Sequence, residues 1–250
     1  MTTDTKGINF IPGTYAKRTS QTSTLTKYYV KEWEKKQSGL KVKEKKGKKI
    51  PPSICFSRKI GVGAVEIADL LAKKTGYPVF ERAIIEHMVD NSHLNKKTIT
   101  FFDERYPGKL QELAAFLFGE KSYVMSDYMR HLFRTVLSIA DIGSTIFVGK
   151  GTHLILPRDR VLAVRLICSR EYRCQRLADI ININAKDVDN KLDEMDKEQR
   201  VFFKKVFHKQ DALPYEFDLC INCDYIKSPQ SVADIVYTAF REKFASDLNG

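Results

Sequence analysis

Three groups of residues carry the types and spacing that phosphate chemistry requires. Ser57-Arg58-Lys59 leads into Gly61-Val62-Gly63-Ala64. An apolar, strand-like run enters this glycine turn, and a helix leaves it with Val65, Ile67, Ala68, Leu70 and Leu71 on its buried side. A strand, a tight turn and a helix start aim backbone N–H groups at an anion, and the helix dipole adds about half a positive charge there. Gly149-Lys150-Gly151 follows a second apolar strand and supplies another cation. Asp196, Arg200 and Lys204 stand one turn apart on one helix face. Phosphoryl transfer asks a protein for cations around the moving group and for little covalent help. Taken singly, the turn also reads as a plain βα connection and the charged helix as a salt-laced surface.

The glycine turn departs from the usual phosphate loop. That loop ends Gly-Lys-Ser/Thr, and here the three places read Ala64, Val65 and Glu66. Losing one preorganised phosphate donor costs roughly 3–4 kcal/mol at the transition state. Arg58 or Lys59 beside the turn could compensate. Glu66 stands where a metal-binding hydroxyl is usual, so it either holds magnesium or repels a triphosphate. The five histidines, His87, His93, His131, His153 and His208, do not cluster in sequence and suggest no metal site or triad.

These residues need elements to position them. Strands are predicted at Ile54–Ser57, Thr145–Val148, Val161–Cys168 and Phe217–Asn222, with an extended segment at Pro78–Phe80. Helices are predicted at 24–37, Val65–Thr75, Arg82–Val89, within 109–140, at Arg170–Ile181, Asp187–Phe207 and Pro229–Phe244, the last capped by Ser228. Leu110, Leu113, Phe116 and Leu117 carry the first part of the 109–140 pattern. In the 24–37 helix, Leu25, Tyr28, Tyr29 and Trp33 are spaced for one face, which either packs back on the domain or on a second copy or docks a partner. Strands alternating with helices predict an α/β fold, a doubly wound parallel sheet of about five strands. Such sheets bind ligands at the carboxyl ends of the strands, where Arg58, Lys150 and Asn222 fall.

Length and charge set the frame. At 250 residues, one domain with an extension is expected. The net charge of +11 sits mostly in residues 1–50, which hold 13 Lys/Arg against 4 Asp/Glu, a balance of +9. The body from 51 to 250 is nearly neutral, so any nucleic-acid or polyanion binding is expected of the extension alone. Residues 1–22 read as disordered and 41–49 as a solvated linker. Five cysteines without a secretory leader predict reduced thiols in a cytoplasm. Cys220 and Cys223 have zinc-like spacing but lack a second pair. No apolar run reaches the length of about 18 residues that a membrane span needs.

Ordered blocks of the chain resemble the cytidylate kinase-like proteins, a branch of the nucleoside monophosphate kinases among the P-loop proteins. Ser57-Arg58, Gly61-Val62-Gly63 and Glu66-Ile67-Ala68 are similar to that family's S-R-x-x-G-S-G-G-R-E-I-A. Pro78-Val79-Phe80-Glu81-Arg82, Phe147–Gly151, Asp196 to Lys204 and Tyr215–Asn222 resemble later blocks. The resemblance spans roughly 53–225. It implies a P-loop kinase-like sheet with a helical acceptor-side segment at 81–140 and a lid-like segment at 169–215. It implies phosphoryl transfer from ATP with magnesium to CMP, dCMP or a related acceptor. Ser57, Arg58, Lys59, Gly61, Val62, Gly63 and Ala64 would cradle the donor phosphates, with Glu66 near magnesium. Arg82, Lys150 and Gly151 would face the acceptor. Arg58, Arg200 and Lys204 would act on the transferred group. The sequence departs from the family at Ala64, at Val65 in place of an arginine, at Glu81 and at Lys150.

Two other function classes stay open beside a soluble, cytoplasmic kinase. One is a nucleotide-binding regulatory protein whose kinase fold no longer turns over. The other is an interaction protein that uses the basic extension on a polyanion or protein partner. Assembly into an oligomer is compatible with each.

Overall fold

The computed structural model describes residues 22–38, 49–90, 126–210 and 212–248. In chain order the elements are α1 (Thr22–Ser38), β1 (Ser53–Arg58), α2 (Ala64–Thr75), β2 (Val79–Glu81) and α3 (Arg82–Asp90). Then come α4 (Asp127–Ile142), β3 (Ile146–Val148), α5 (Thr152–Ile155), β4 (Val161–Ile167) and α6 (Arg170–Ile181). The chain closes with α7 (Ala185–Phe207), β5 (Leu219–Asn222), α8 (Pro229–Lys243) and α9 (Ala245–Leu248).

The five strands form one parallel sheet in the order β2-β3-β1-β4-β5. The glycine-loop strand β1 sits in the middle, with Ile54 opposite both Ile146 and Leu162. Central parallel strands are covered on both faces, which is why Ser53–Ser57 reads as an unbroken buried run. Alternation still sorts the side chains. Cys55, Phe147 and Ala163 join the layer with Phe80, Phe133 and Phe207. Ile54, Phe56, Ile146 and Val164 join the layer with Leu71, Val236 and Phe240. The predicted doubly wound parallel sheet of five strands is the observed architecture.

Local signals set the element ends. Gly76 closes α2 in a left-handed conformation, with its N–H on the Ala72 carbonyl. Ser169, Asn184 and Ser228 each cap the helix that follows through a side-chain oxygen. The helix predicted within 109–140 is observed as α4, while Leu110, Leu113, Phe116 and Leu117 lie outside the described residues, as does His93. The expected disorder of 1–22 and the linker at 41–49 fall almost wholly outside them too.

α1 forms where a helix is predicted; Trp33 is buried on it as expected, Tyr28 is not, and the side chains of Leu25 and Tyr29 lie outside the described residues. Trp33 is 3% exposed and Val30 packs beside it, whereas Tyr28 is 58% exposed. Val30 and Trp33 stand three positions apart on one face, and α1 meets α3 and α4 there. Trp33 and Ile50 thereby belong to the same apolar layer as Ile84, Ile85 and Leu132. All five cysteines are free thiols. Cys55 is buried, and burial pushes its pKa up to about 12. No helix among the described residues is long and apolar enough to cross a membrane.

Candidate functional site

The carboxyl ends of β1 and β3 and the start of α6 meet at one end of the sheet. After β1 the chain turns through Gly61 and Gly63, both at positive φ, of 95° and 91°. Gly63 caps α2 without a side-chain hydrogen bond, so no side chain competes for the first-turn amides. α6 roofs this loop. A Cβ on Gly61 would come within 3.0 Å of Leu177 and 3.1 Å of Arg173. A Cβ on Gly63 would come within 3.1 Å of Arg176 Nε. Left-handed backbone and close approach both require glycine here.

Arg176 is the residue that sequence reasoning missed. Its guanidinium lies against Gly63 and donates to Glu66 Oε1 at 2.7 Å. The loop that has Val65 in place of its own cation thus receives one from the neighbouring helix. Arg173, one turn earlier, forms a two-pronged pair with Asp196 at 2.8 Å for each bond and reaches the Ile60 carbonyl at 3.3 Å. Lys59 stands 3.6 Å from the same carboxylate. Asp196, read from sequence as part of a lid face, is therefore an anchor that ties α7 to α6 and to the loop. The spacing of Arg173 and Arg176 was visible. Their position over the loop was not, because it depends on β4 lying beside β1.

Burial pushes the Asp196 carboxyl up, but hydrogen bonds from Arg173 outweigh it and hold the group below the ordinary aspartate range. A depressed carboxylate stabilises the fold above its unfolded-state pKa, and that contribution fades as pH falls through the folded-state value. Wild type should therefore exceed Asp196→Asn in urea resistance at neutral pH. The gap should close as pH falls below the ordinary aspartate range. A gap that stays constant with pH would show that the charge of Asp196 is not what anchors α7.

On the other side of β1, Gly149, Lys150 and Gly151 all adopt positive φ, of 86°, 56° and 65°. Lysine rarely accepts that geometry, and such strain persists only where the surroundings enforce it. Lys150 is held by three elements. Its Nζ lies 2.5 Å from Glu86 Oε1 of α3 and donates to the Tyr128 hydroxyl of α4 at 3.0 Å. It also sits 4.3 Å from the ring centre of Phe202 on α7. Arg82 donates to the same Glu86 oxygen at 3.0 Å. Glu86 thus joins the two cations expected on the acceptor side, although nothing in its sequence context marked it.

Arg58 lies between the two halves. Its guanidinium approaches Gly149, 3.7 Å from where a Cβ would stand, while Arg176 is the one against Gly63. Burial, then the nearby Arg82, draws its pKa down to about 10, with Glu81 acting the other way. The Arg58 carbonyl accepts a hydrogen bond from Gln199 of α7 at 2.7 Å. Ser57 Oγ accepts one from Arg165 at 2.7 Å. Val62 and Ala64 are buried in the core behind the loop. Arg200 and Lys204 are exposed on α7, whose inner face carries Asp196, Gln199 and Phe207.

The loop fits a polyphosphate in its bare glycines and in the guanidinium beside it. For magnesium, Glu66 offers one carboxylate, and magnesium commonly takes one or two from protein and the rest from phosphates and water. Arg176 already pairs with that carboxylate.

Residues 53–225 match the sequence model of the cytidylate kinase-like family. A crystal structure of an uncharacterized protein from Eubacterium ventriosum aligns with a TM-score of 0.60 at 15% identity, over 76% of this chain and 98% of that one. At that identity the likeness speaks for the fold alone. None of the curated proteins compared with the chain matches it.

Proposed function

Because the chain belongs to the cytidylate kinase-like family, we propose that it transfers a phosphoryl group from ATP, with magnesium, to CMP, dCMP or a related small acceptor. The observation that carries this reading is Arg176 laid against Gly63. It returns to the loop the positive charge that Val65 removes, and a phosphoryl-transfer site needs that charge fixed in advance.

In this reading each group has a task. The Gly61–Ala64 backbone and the start of α2 hold the donor phosphates. Arg176 lies over them, and Arg173 with Asp196 keeps α6 seated. Arg82 and Lys150 receive the acceptor phosphate, and Arg58, between the two clusters, faces the space through which the group moves. Magnesium, when bound, spreads charge between the donor phosphates, with Glu66 the carboxylate nearest the loop. Covering by α7 excludes water, so the acceptor rather than solvent takes the group.

Arg200 and Lys204 complete this picture as exposed cations on the covering helix. Their interactions should strengthen as charge develops, which is the condition for acting on rate rather than on binding. Each alanine variant should lower kcat about tenfold with nucleotide affinity little changed, as read by steady-state kinetics beside calorimetry. Weaker binding with unchanged turnover would make them binding residues only.

The deciding experiment assays ATP with a panel of nucleoside monophosphates and measures binding of the same nucleotides by calorimetry. Turnover with a pyrimidine monophosphate supports the kinase. Binding without turnover supports the second reading, a nucleotide-binding regulatory protein. One observation favours that second reading: the cations at both ends of the site are already paired with carboxylates, Arg176 with Glu66 and Lys150 with Glu86.

A further inference from the structure

At the opposite end of the sheet from the glycine loop, a second cleft of about 390 Å³ opens between α1, the end of α2 and the segments that lead into β2 and β3. Small-molecule sites begin at about this size. Trp33 of α1 lines the cleft, is 3% exposed, and its indole N–H has no acceptor among the described residues. Buried donors without partners are rare, and a missing partner is costly. Tyr77 and Phe80 add aromatic walls. Lys36 and Lys73, both exposed, border the cleft against one carboxylate, Glu32. The floor is fixed, with the Ile146 N–H on the Pro78 carbonyl at 3.0 Å.

Two features set this cleft apart from the phosphate site. α1 lies outside the residues that match the family model, so this wall is no part of the matched region. α2 runs from the glycine loop at Ala64 to the cleft at Lys73, so one rigid helix touches both places.

We propose that this cleft is a second ligand site, apart from the phosphate site, for a planar aromatic or heteroaromatic acid. The flat ring lies among Trp33, Tyr77 and Phe80, an oxygen or ring nitrogen accepts the Trp33 N–H, and the anionic group meets Lys36 and Lys73. The aromatic walls select a flat ring, and the excess of lysine over carboxylate selects the negative charge.

Trp33 is the only tryptophan of the chain, so a proton–nitrogen correlation spectrum of the full chain holds a single indole signal. Adding 1-naphthoate should shift that signal saturably. The neutral 1-naphthamide should need at least about tenfold more ligand for the same shift, the ratio that one favourable charge contact gives. The double variant Lys36→Glu, Lys73→Glu should erase that preference while the rest of the spectrum stays as in wild type. No saturable shift with 1-naphthoate would overturn the site. Equal affinity for acid and amide, or a preference that survives the charge reversal, would overturn the ligand class.

Discussion

Arg176→Gln should lower phosphoryl transfer to a pyrimidine monophosphate by about two to three orders of magnitude, the usual loss when one preorganised charge-stabilising group is removed. The loop has no cation of its own at Val65, and the Arg176 guanidinium is the one packed on Gly63. Glutamine keeps much of the side chain's length and its capacity to donate to Glu66, so α6 should stay in place. Lysine should rescue only part of the rate, because it restores the charge but not the planar fork. Arg58→Ala is the companion measurement. If Arg58 serves the loop, its variant should fall as far and Arg176→Gln should fall little. A loss below tenfold for Arg176→Gln at saturating ATP would refute the assignment.

Gly151→Ala should cost roughly 2–5 kcal/mol of stability, as overpacking and left-handed strain add. A Cβ there would stand 2.3 Å and 2.5 Å from two ring carbons of Phe207, at a φ of 65°. Phe207 cannot swing aside freely. It stacks on Phe133 with ring centres 6.0 Å apart and touches Phe202 and Phe203 as well. Gly149→Ala is the control. Its φ of 86° carries similar backbone strain, but the nearest atom is Arg58 at 3.7 Å, an ordinary contact. Urea unfolding should therefore give a clearly larger loss at Gly151 than at Gly149, with similar m-values. Equal losses would mean that backbone strain alone matters and that the Phe207 contact relaxes.

The sheet and the glycine loop were legible because their signals are local. Apolar runs followed by glycine mark β1 and β3, and Gly76 and Ser228 mark helix ends within a few residues of the pattern they close. Lys150 was legible as a cation at a strand end, and Arg82 through the resemblance to the family's second block. Their common partner Glu86 was not, because a carboxylate on a short helix looks like any exposed charge until α3 packs against α4 and β2. Arg176 was hidden for the same kind of reason, since strand order, and not spacing, puts α6 over Gly63. Asp196 shows the converse: its periodicity with Arg200 and Lys204 was real, yet the anchor is buried against Arg173 while the two cations are solvent-exposed.

The pairs Arg176–Glu66 and Lys150–Glu86 make the resting cleft an ion exchanger rather than an empty bowl. In the proposed kinase, each nucleotide phosphate would enter by displacing a carboxylate that is already seated, so its affinity would be the difference between two anions for one cation. A doubly charged phosphate would gain more from that exchange than a singly charged ester or an unphosphorylated nucleoside. The internal carboxylates would thereby act as a threshold, holding the cations in register and setting the minimum charge that a molecule must bring.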